Sequence, residues 1–483
     1  MAEYLSPGVY TESVSKGGAV VEAVSASTGG FIGFASRGTV NKAVFINSWS
    51  AYLNEFAGDN SAFETDKYLA YAVYGFFQNG GKRCYVVRTA GSGIAKATAE
   101  IGGLTFTAKN EGTWGNNIKV AITKNADFDS NFDVSVNLYD SVGGSNVVTS
   151  EKFKNLTLAD IFDTVNSSST LVAIDINPSA VIAVAPETSL ESGADGENVP
   201  ALTTDILNSS FGDVANEISL ICSPDLKSQA DANILIGYAE ANRMFAIIQG
   251  TGTEGIAEIK SFRKGLNSGP ASLYYPYIEV TDPLSSVGAV KSIPPCGHIM
   301  GIYAKTITNK GVWKNPAGVE CAITGVVSTH KISATQGTLA TADVDVLNPL
   351  SINAIMLRPN YGICVWGCRS LMSDTTLRYV ADVLLKFNVM KSLQEGTQAL
   401  VFEPHDRDLW TKANATVKAF LDTLWREGAF LGDTSAEAYY VKCDESNNPE
   451  ESRNLGRLII ECGYAQKKPA EFVIIKIAHQ IQN

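Results

Sequence analysis

Apolar residues follow three rhythms along this chain, and each predicts a different kind of structure. Between about Thr98 and Pro200 they alternate: Ile118, Val120, Ile122, then Phe132, Val134, Val136, Leu138. Period two predicts strands with one face buried and one wet. Turn residues such as Gly143-Gly144-Ser145-Asn146 separate the runs, and one short helix is expected near Leu158 to Val165. Between about Thr204 and Arg358 the runs are continuous: Ile218–Cys222, Met244–Ile248 and Ala271–Tyr275. Helical stretches at Gln229–Asn242 and Glu254–Gly265 lie between them. Continuous apolar strands alternating with helices predict a parallel sheet covered on both faces. The third rhythm is helical spacing, in Leu69, Ala70, Val73, Phe76 and Phe77, and again in Leu409, Trp410, Ala413, Val417, Phe420, Leu421 and Leu424.

Punctuation residues sharpen these elements. Gly29–Ala35 reads as a buried strand, and Ser48 as the N-cap of a helix through Phe56. Thr65 or Asp66 is expected to cap the next helix, which Gly80-Gly81 stops before a strand at Arg83–Arg88. Asp406 caps a long helix through Glu427, with Gly428 just beyond it. Ser189–Asn198 reads as an exit linker. The expected fold class is a multidomain mixture of α/β and α+β parts. Its expected divisions are an extended arm over 1–18, an α/β domain over 19–97, a strand-rich outer domain over 98–200, a central α/β domain over 201–358, a mixed C-terminal domain over 359–468, and a second arm over 469–483.

Composition excludes several classes. The 483 residues are 18% charged and 45% hydrophobic, which is enough apolar material for more than one core and excludes disorder over the whole chain. The net charge is −12, a poor match for nucleic acid. No basic n-region with an apolar core lies in Met1–Val20, and no run of about 18 apolar residues occurs, so neither a secretory leader nor membrane insertion is expected. Eight scattered cysteines fit folding in a reducing cytosol, with release from the cell by lysis or another leaderless route.

The search for chemistry is nearly empty. Gly250-Thr251-Gly252-Thr253-Glu254-Gly255 matches G-x-G-x-x-G between a strand and a helix, the context of a dinucleotide pyrophosphate. It follows the second strand of its domain rather than the first, and an ordinary Gly-rich turn explains it as well. A nucleotide-binding α/β enzyme using Gly250–Gly255 is therefore the alternative reading. The four histidines, His298, His330, His405 and His479, accompany no G-x-S-x-G motif, so hydrolysis is not expected. Cys296-Gly297-His298 and Cys364 with Cys368 lack paired C-x-x-C spacing and read as small buried residues. Lys305, Lys310 and Lys314 near Tyr303 and Trp313 are too sparse for a nucleic-acid groove. No catalytic residue, metal or cofactor is expected.

The two ends are unusual. Tyr4-Leu5-Ser6-Pro7-Gly8-Val9-Tyr10-Thr11 and Glu471-Phe472-Val473-Ile474-Ile475-Lys476-Ile477-Ala478 both favour strands, and both lie outside a domain. Strand donors and acceptors need partners, and arms of this kind pair with a neighbour's sheet. Head-to-tail pairing that does not close builds a helical assembly.

Several stretches resemble one family. Tyr4–Tyr10, Thr28–Gly38, Gly112-Thr113-Trp114-Gly115-Asn116-Asn117, Tyr274–Tyr277, Ile293–Ala304, Gly311–Gly318 and the run from Trp366 through Phe402-Glu403-Pro404 to Trp425–Ala429 are similar to contractile tail sheath proteins of phages and injection particles. The resemblance implies a central domain with a subtilisin-like backbone and no protease function. It implies that Tyr4, Leu5, Pro7, Gly8, Val9, Tyr10 and Thr11, with Phe472, Val473, Ile474, Ile475 and Ile477, link neighbouring subunits. The implied partners are further copies in stacked hexameric rings, an inner tail tube protein, and baseplate and tail-terminator proteins. Assembly is expected in the host cytoplasm, in a virion tail or released particle. Arg407 and Lys418, eleven residues apart on one helical face, are the expected tube-facing pair, against an acidic tube.

Overall fold

A computed structural model describes residues 21, 23–57, 63, 66–128, 130–175, 177, 181–197, 201–252, 254–285, 287–331 and 337–471. The chain divides into two compact units, one over residues 25–387 and one that takes residues from 388 onward together with Val21, Ala23 and Val24.

The larger unit is organised by an eight-stranded sheet. Its order is Ala43–Ile46, Cys84–Thr89, Gly29–Phe34, Leu220–Cys222, Phe245–Gln249, Ala271–Tyr275, Ile352–Arg358, Gly362–Val365. The six inner strands run parallel, and an antiparallel strand closes each edge. Gly30 pairs with Tyr85 on one side and Ile221 on the other, so strands from the 19–97 and 201–358 segments share one sheet. Successive side chains face opposite layers, and both layers are dry. Ile32, Val87, Ile221, Ile248 and Leu273 pack under the Thr204–Phe211 and Gln229–Ala241 helices. On the other face Phe31 meets Phe76 edge-on at 5.4 Å and Phe245 meets Tyr303 at 6.1 Å. Those partners lie on the Leu69–Gln78 and Cys296–Lys310 helices. The two helices approach closely because their contact is made of glycines. A Cβ at Gly297 would sit 2.1 Å from the Ala72 carbonyl, and one at Gly301 would sit 2.5 Å from the Phe76 carbonyl.

The strand-rich segment forms its own sandwich. Ala185–Ser189, Ile118–Lys124, Phe132–Tyr139 and Val147–Leu156 make one sheet, and Val172–Ile174, Leu104–Ala108 and Thr98–Ile101 make the other. Its core runs from Ala97 to Leu190 and shares no residue with the Gln229–Ala241 side of the parallel sheet. The helix expected near Leu158 spans Leu158–Ser168. The expected exit linker is partly strand: Ala194–Glu197 pairs with Ser92–Ala95 as a two-stranded ribbon carrying the chain into and out of the sandwich. Its Gly, Asp and Glu content hid this, because the ribbon is held by cross-strand pairing rather than by apolar burial.

Ser48 accepts from the Ala51 amide at the head of the Trp49–Phe56 helix, as expected. Of the two caps expected for the following helix, Thr65 lies outside the described residues and Asp66 stands two residues before the N-cap position, Tyr68. The helix begins at Leu69 without a side-chain cap of its own, and the distant Asp225 carboxylate accepts from the Tyr68 amide at 2.8 Å and the Phe34 amide at 3.0 Å. The helix expected from Glu254 starts at Ile256.

In the smaller unit Asp406 accepts from the Leu409 amide at 2.9 Å and starts the Arg407–Arg426 helix. Its apolar stripe is buried as the spacing predicts, and Gly428 takes a positive φ of 93° after the C-cap. The Trp425 indole donates to the Gly432 carbonyl, and the Tyr439 hydroxyl bonds Asp422, seating a Tyr439–Lys442 and Glu461–Tyr464 hairpin against the helix.

Candidate functional site

The Gly250–Gly255 turn is the one sequence motif with catalytic associations, and its geometry closes it. The Phe245–Gln249 strand ends there, and Gly252 takes a φ of 99°. Backbone amides at such a turn form a nest for an anion. Here the anion is Glu254 of the same chain. Its carboxylate accepts from the Thr251 amide, from the Thr251 hydroxyl at 2.9 Å and from the Gly252 amide at 2.7 Å. The Tyr277 hydroxyl donates to the Gly250 carbonyl and the Tyr275 hydroxyl to the Glu254 carbonyl, fixing the turn from below. A phosphate would have to displace an internal carboxylate from the same donors.

The sulfur and imidazole candidates are core residues. Cys296 and His298 lie in the first turn of the Cys296–Lys310 helix, fully buried. Burial lowers the His298 pKa to about 4, and its Nδ1 has no hydrogen-bond partner. The ring lies where Gly75 leaves room: a Cβ there would approach it to 2.2 Å. Burial drives the Cys222 thiol well above its usual range, with Cys296 beside it adding to the shift. Cys364 is buried and Cys368 half-buried. Among the described residues no group of three or more His, Cys, Asp and Glu could hold a metal ion. His330 approaches Glu279 at 3.8 Å, His405 stands edge-on to Trp410, and His479 lies outside the described residues. Lys305, Lys310 and Lys314 are exposed, but Tyr303 is fully buried, so they do not interleave with it at the surface.

Arg407 and Lys418 are both exposed on the Arg407–Arg426 helix. At 100° per residue, eleven residues bring them within about 20° of each other. The same exposed side carries an ion pair between Arg426 and Asp422 at 2.8 Å. Tyr4, Leu5, Pro7, Gly8, Val9, Tyr10 and Thr11 lie outside the described residues, as do Phe472, Val473, Ile474, Ile475 and Ile477. Two polar side chains that sequence reasoning passed over, Arg37 and Arg88, are buried where the sandwich joins the parallel sheet. Nothing in a single sequence separates them from surface arginines.

Residues 92–195 match the family model of the phage tail sheath protein beta-sandwich domain. That span coincides with the ribbon and sandwich described above. The chain has the fold of a contractile sheath protein. The helical sheath of the anti-feeding prophage in its contracted state is similar over 99% of this chain and 100% of that one, with a TM-score of 0.62 and 21% identity. The sheath of the PVC extracellular contractile injection system, also contracted, covers 100% and 99% with a TM-score of 0.60 at 19% identity. The crystal structure of a sheath tail protein from Listeria innocua covers 92% and 96% with a TM-score of 0.63 at 14% identity. No curated protein sequence matches the chain. In sheath terms, the sandwich is an insertion in the larger unit, tethered by the Ser92–Ala95 and Ala194–Glu197 ribbon.

Proposed function

We propose that this chain is the repeating subunit of a contractile sheath, which polymerises helically around an inner tube and contracts to drive that tube through a target envelope. The observation that carries the proposal is the end-to-end match of the fold to sheaths in the contracted state, joined to the sheath-specific sandwich. The role is structural. The turn at Gly250–Gly255 supports that, because Glu254 occupies the donors a nucleotide would use.

In this reading the strand-forming arms, Tyr4–Thr11 and Phe472–Ile477, add strands to neighbouring subunits. The backbone hydrogen bonds of an added strand keep neighbouring subunits joined while their bodies rotate. Arg407 and Lys418 face the tube, where an acidic surface attracts them without burying them, so that contact is released on contraction. Baseplate and terminator proteins cap the assembly, which forms in the host cytoplasm.

Negative-stain electron microscopy of the purified chain beside a variant lacking residues 2–16 tests the proposal. Helical tubes or rings from the full chain, lost in the variant, are the expected result. Compact monomers from both, even with a tube protein supplied as template, would overturn it. Reversing both charges, in Arg407→Glu with Lys418→Glu, tests the tube contact. It should abolish sheath-on-tube assembly and leave template-free polymers intact.

A further inference from the structure

Two buried arginines, Arg37 and Arg88, lie at the junction between the sandwich and the parallel sheet. Arg37 follows the Gly29–Phe34 strand and is only 7% exposed. Its guanidinium carbon lies 4.6 Å from the Trp114 ring centre, within cation–π range. One terminal nitrogen donates to the Ala57 carbonyl and the other to the Thr170 carbonyl, each at 3.3 Å. Ala57 is the C-cap of the Trp49–Phe56 helix, in the sheet layer. Trp114 and Thr170 belong to the sandwich segment. A single planar cation therefore bridges the two bodies.

The surroundings hold both sides ready for it. On the sandwich side the Glu151 carboxylate accepts from the Thr170 amide at 2.9 Å, the Thr170 hydroxyl at 2.7 Å and the Ser169 hydroxyl at 2.6 Å, which aims the Thr170 carbonyl at Arg37. The Trp114 indole donates to the Glu111 carbonyl at 3.2 Å. That carbonyl also accepts from Arg88, fully buried at the end of the Cys84–Thr89 strand, which donates to the Gly38 carbonyl as well, each at 2.8 Å. Gly112 lets the backbones meet: a Cβ there would lie 2.5 Å from the Ser36 carbonyl. Besides these arginine contacts, the two bodies are joined by the two-stranded Ser92–Ala95 and Ala194–Glu197 ribbon. A two-stranded ribbon alone is at best marginally stable.

We propose that Arg37 is a latch: seated on Trp114 and bonded to the Ala57 and Thr170 carbonyls, it fixes the sandwich to the parallel-sheet body, and its withdrawal loosens the sandwich on the ties that remain, the Arg88 bond to the Glu111 carbonyl and the Ser92–Ala95 and Ala194–Glu197 ribbon. Arg suits the position and Lys does not, because only the guanidinium fork reaches two carbonyls while stacking on an indole. With the latch closed, rotation of the body carries the sandwich with it. The latch belongs to the single chain, so its test is independent of the sheath reading.

Hydrogen–deuterium exchange on the full chain tests it. Arg37→Ala should raise exchange at least tenfold at Gly112–Asn117, at Ser169–Leu171 and along the ribbon. Exchange in the sandwich strands Ile118–Lys124 and Phe132–Tyr139, and in the parallel strands, should stay as in the parent. Arg37→Lys should behave like Arg37→Ala. Glu151→Gln, which leaves Arg37 in place and loosens only the Thr170 turn, should give a smaller rise confined to Ser169–Leu171, and it keeps the test open should the arginine variants fold poorly. Unchanged exchange at both junction segments in every variant would overturn the latch. So would a rise spread evenly through the sandwich strands, which would make Arg37 part of the sandwich's own stability.

Discussion

The strands Phe245–Gln249 and Phe132–Tyr139 are built from similar residues and live under different rules. Every residue of the first is buried, because helices cover both faces of the parallel sheet. In the second, burial alternates residue by residue, with one face on the sandwich core and one half-open to water. A two-sided sheet has no tolerant position, and a one-sided sheet has one at every second residue. The same substitution on each breaks or sharpens that contrast. Ile247→Asp places an unpaired carboxylate in a dry layer and should cost about 5 kcal/mol or more, enough to unfold the larger unit. Ser135→Asp on the wet face should cost less than about 1 kcal/mol. Soluble yield and hydrogen exchange of the two variants check this; equal damage would erase the contrast.

Two-sided cover also strands a titratable group. His298 sits in the helix layer over the parallel sheet, 2% exposed, and burial lowers its pKa from 6.5 to about 4. Above pH 6.5 the ring is neutral in both the folded and unfolded chain and contributes no pH dependence. Between 6.5 and 4 the unfolded chain takes a proton that the folded chain refuses, so stability falls as pH falls, by about 3 kcal/mol in all. Denaturant titrations at pH 7 and pH 4.5 should show the loss. His298→Leu should flatten that part of the acid limb, and an unchanged limb would return the ring to water. No histidine lies in the sandwich, so its protection from exchange, corrected for the intrinsic pH dependence of the amide reaction, should be far less sensitive over this interval.

The contrast also explains what could be read in advance. Alternation announced Ile118–Lys124 and Phe132–Tyr139, and local caps announced the helices after Ser48 and Asp406, because these signals are carried by neighbours in sequence. The Cys296–Lys310 helix was legible only as a string of motifs. It is buried all round from Cys296 to Ala304 and shows no polar face for a helical period to reveal. The sharing of one sheet by Gly29–Phe34 and Leu220–Cys222 depends on pairing across nearly two hundred residues, and the capping of Tyr68 by Asp225 across 157. For the candidate site, G-x-G-x-x-G spacing was visible and its occupation by Glu254 was not, since spacing does not say which anion the amides hold.

That turn sits where the two-sided strand Phe245–Gln249 meets solvent, and it gives an intermediate effect. Glu254→Ala removes the acceptor for the Thr251 and Gly252 amides and should cost about 1–2 kcal/mol. The loss should appear first as faster exchange in Ile256–Lys264. Millimolar ATP or NAD should leave the melting temperature of the parent chain within about 1 °C, because a ligand stabilises only what it binds. A shift of several degrees would reopen the nucleotide alternative.

The smallest effect is the most discriminating, because it asks whether the open face of the sandwich is truly idle. Ser135 stands between Ala121 and Lys152 in the ladder, and its neighbour Val136 points into the core. Ser135→Val adds a β-branched side chain that favours the extended backbone and covers its cross-strand neighbours, without entering the core. It should change local stability by no more than about 0.5 kcal/mol, with stabilisation the expected sign. Val136→Ala, one residue away, should cost about 2 kcal/mol by leaving a cavity. Exchange of the Phe132–Tyr139 amides in rising denaturant reads both within the sandwich alone. A cost for Ser135→Val approaching that of Val136→Ala would mean that this face is packed against something in the isolated chain, and the one-sided description would fail.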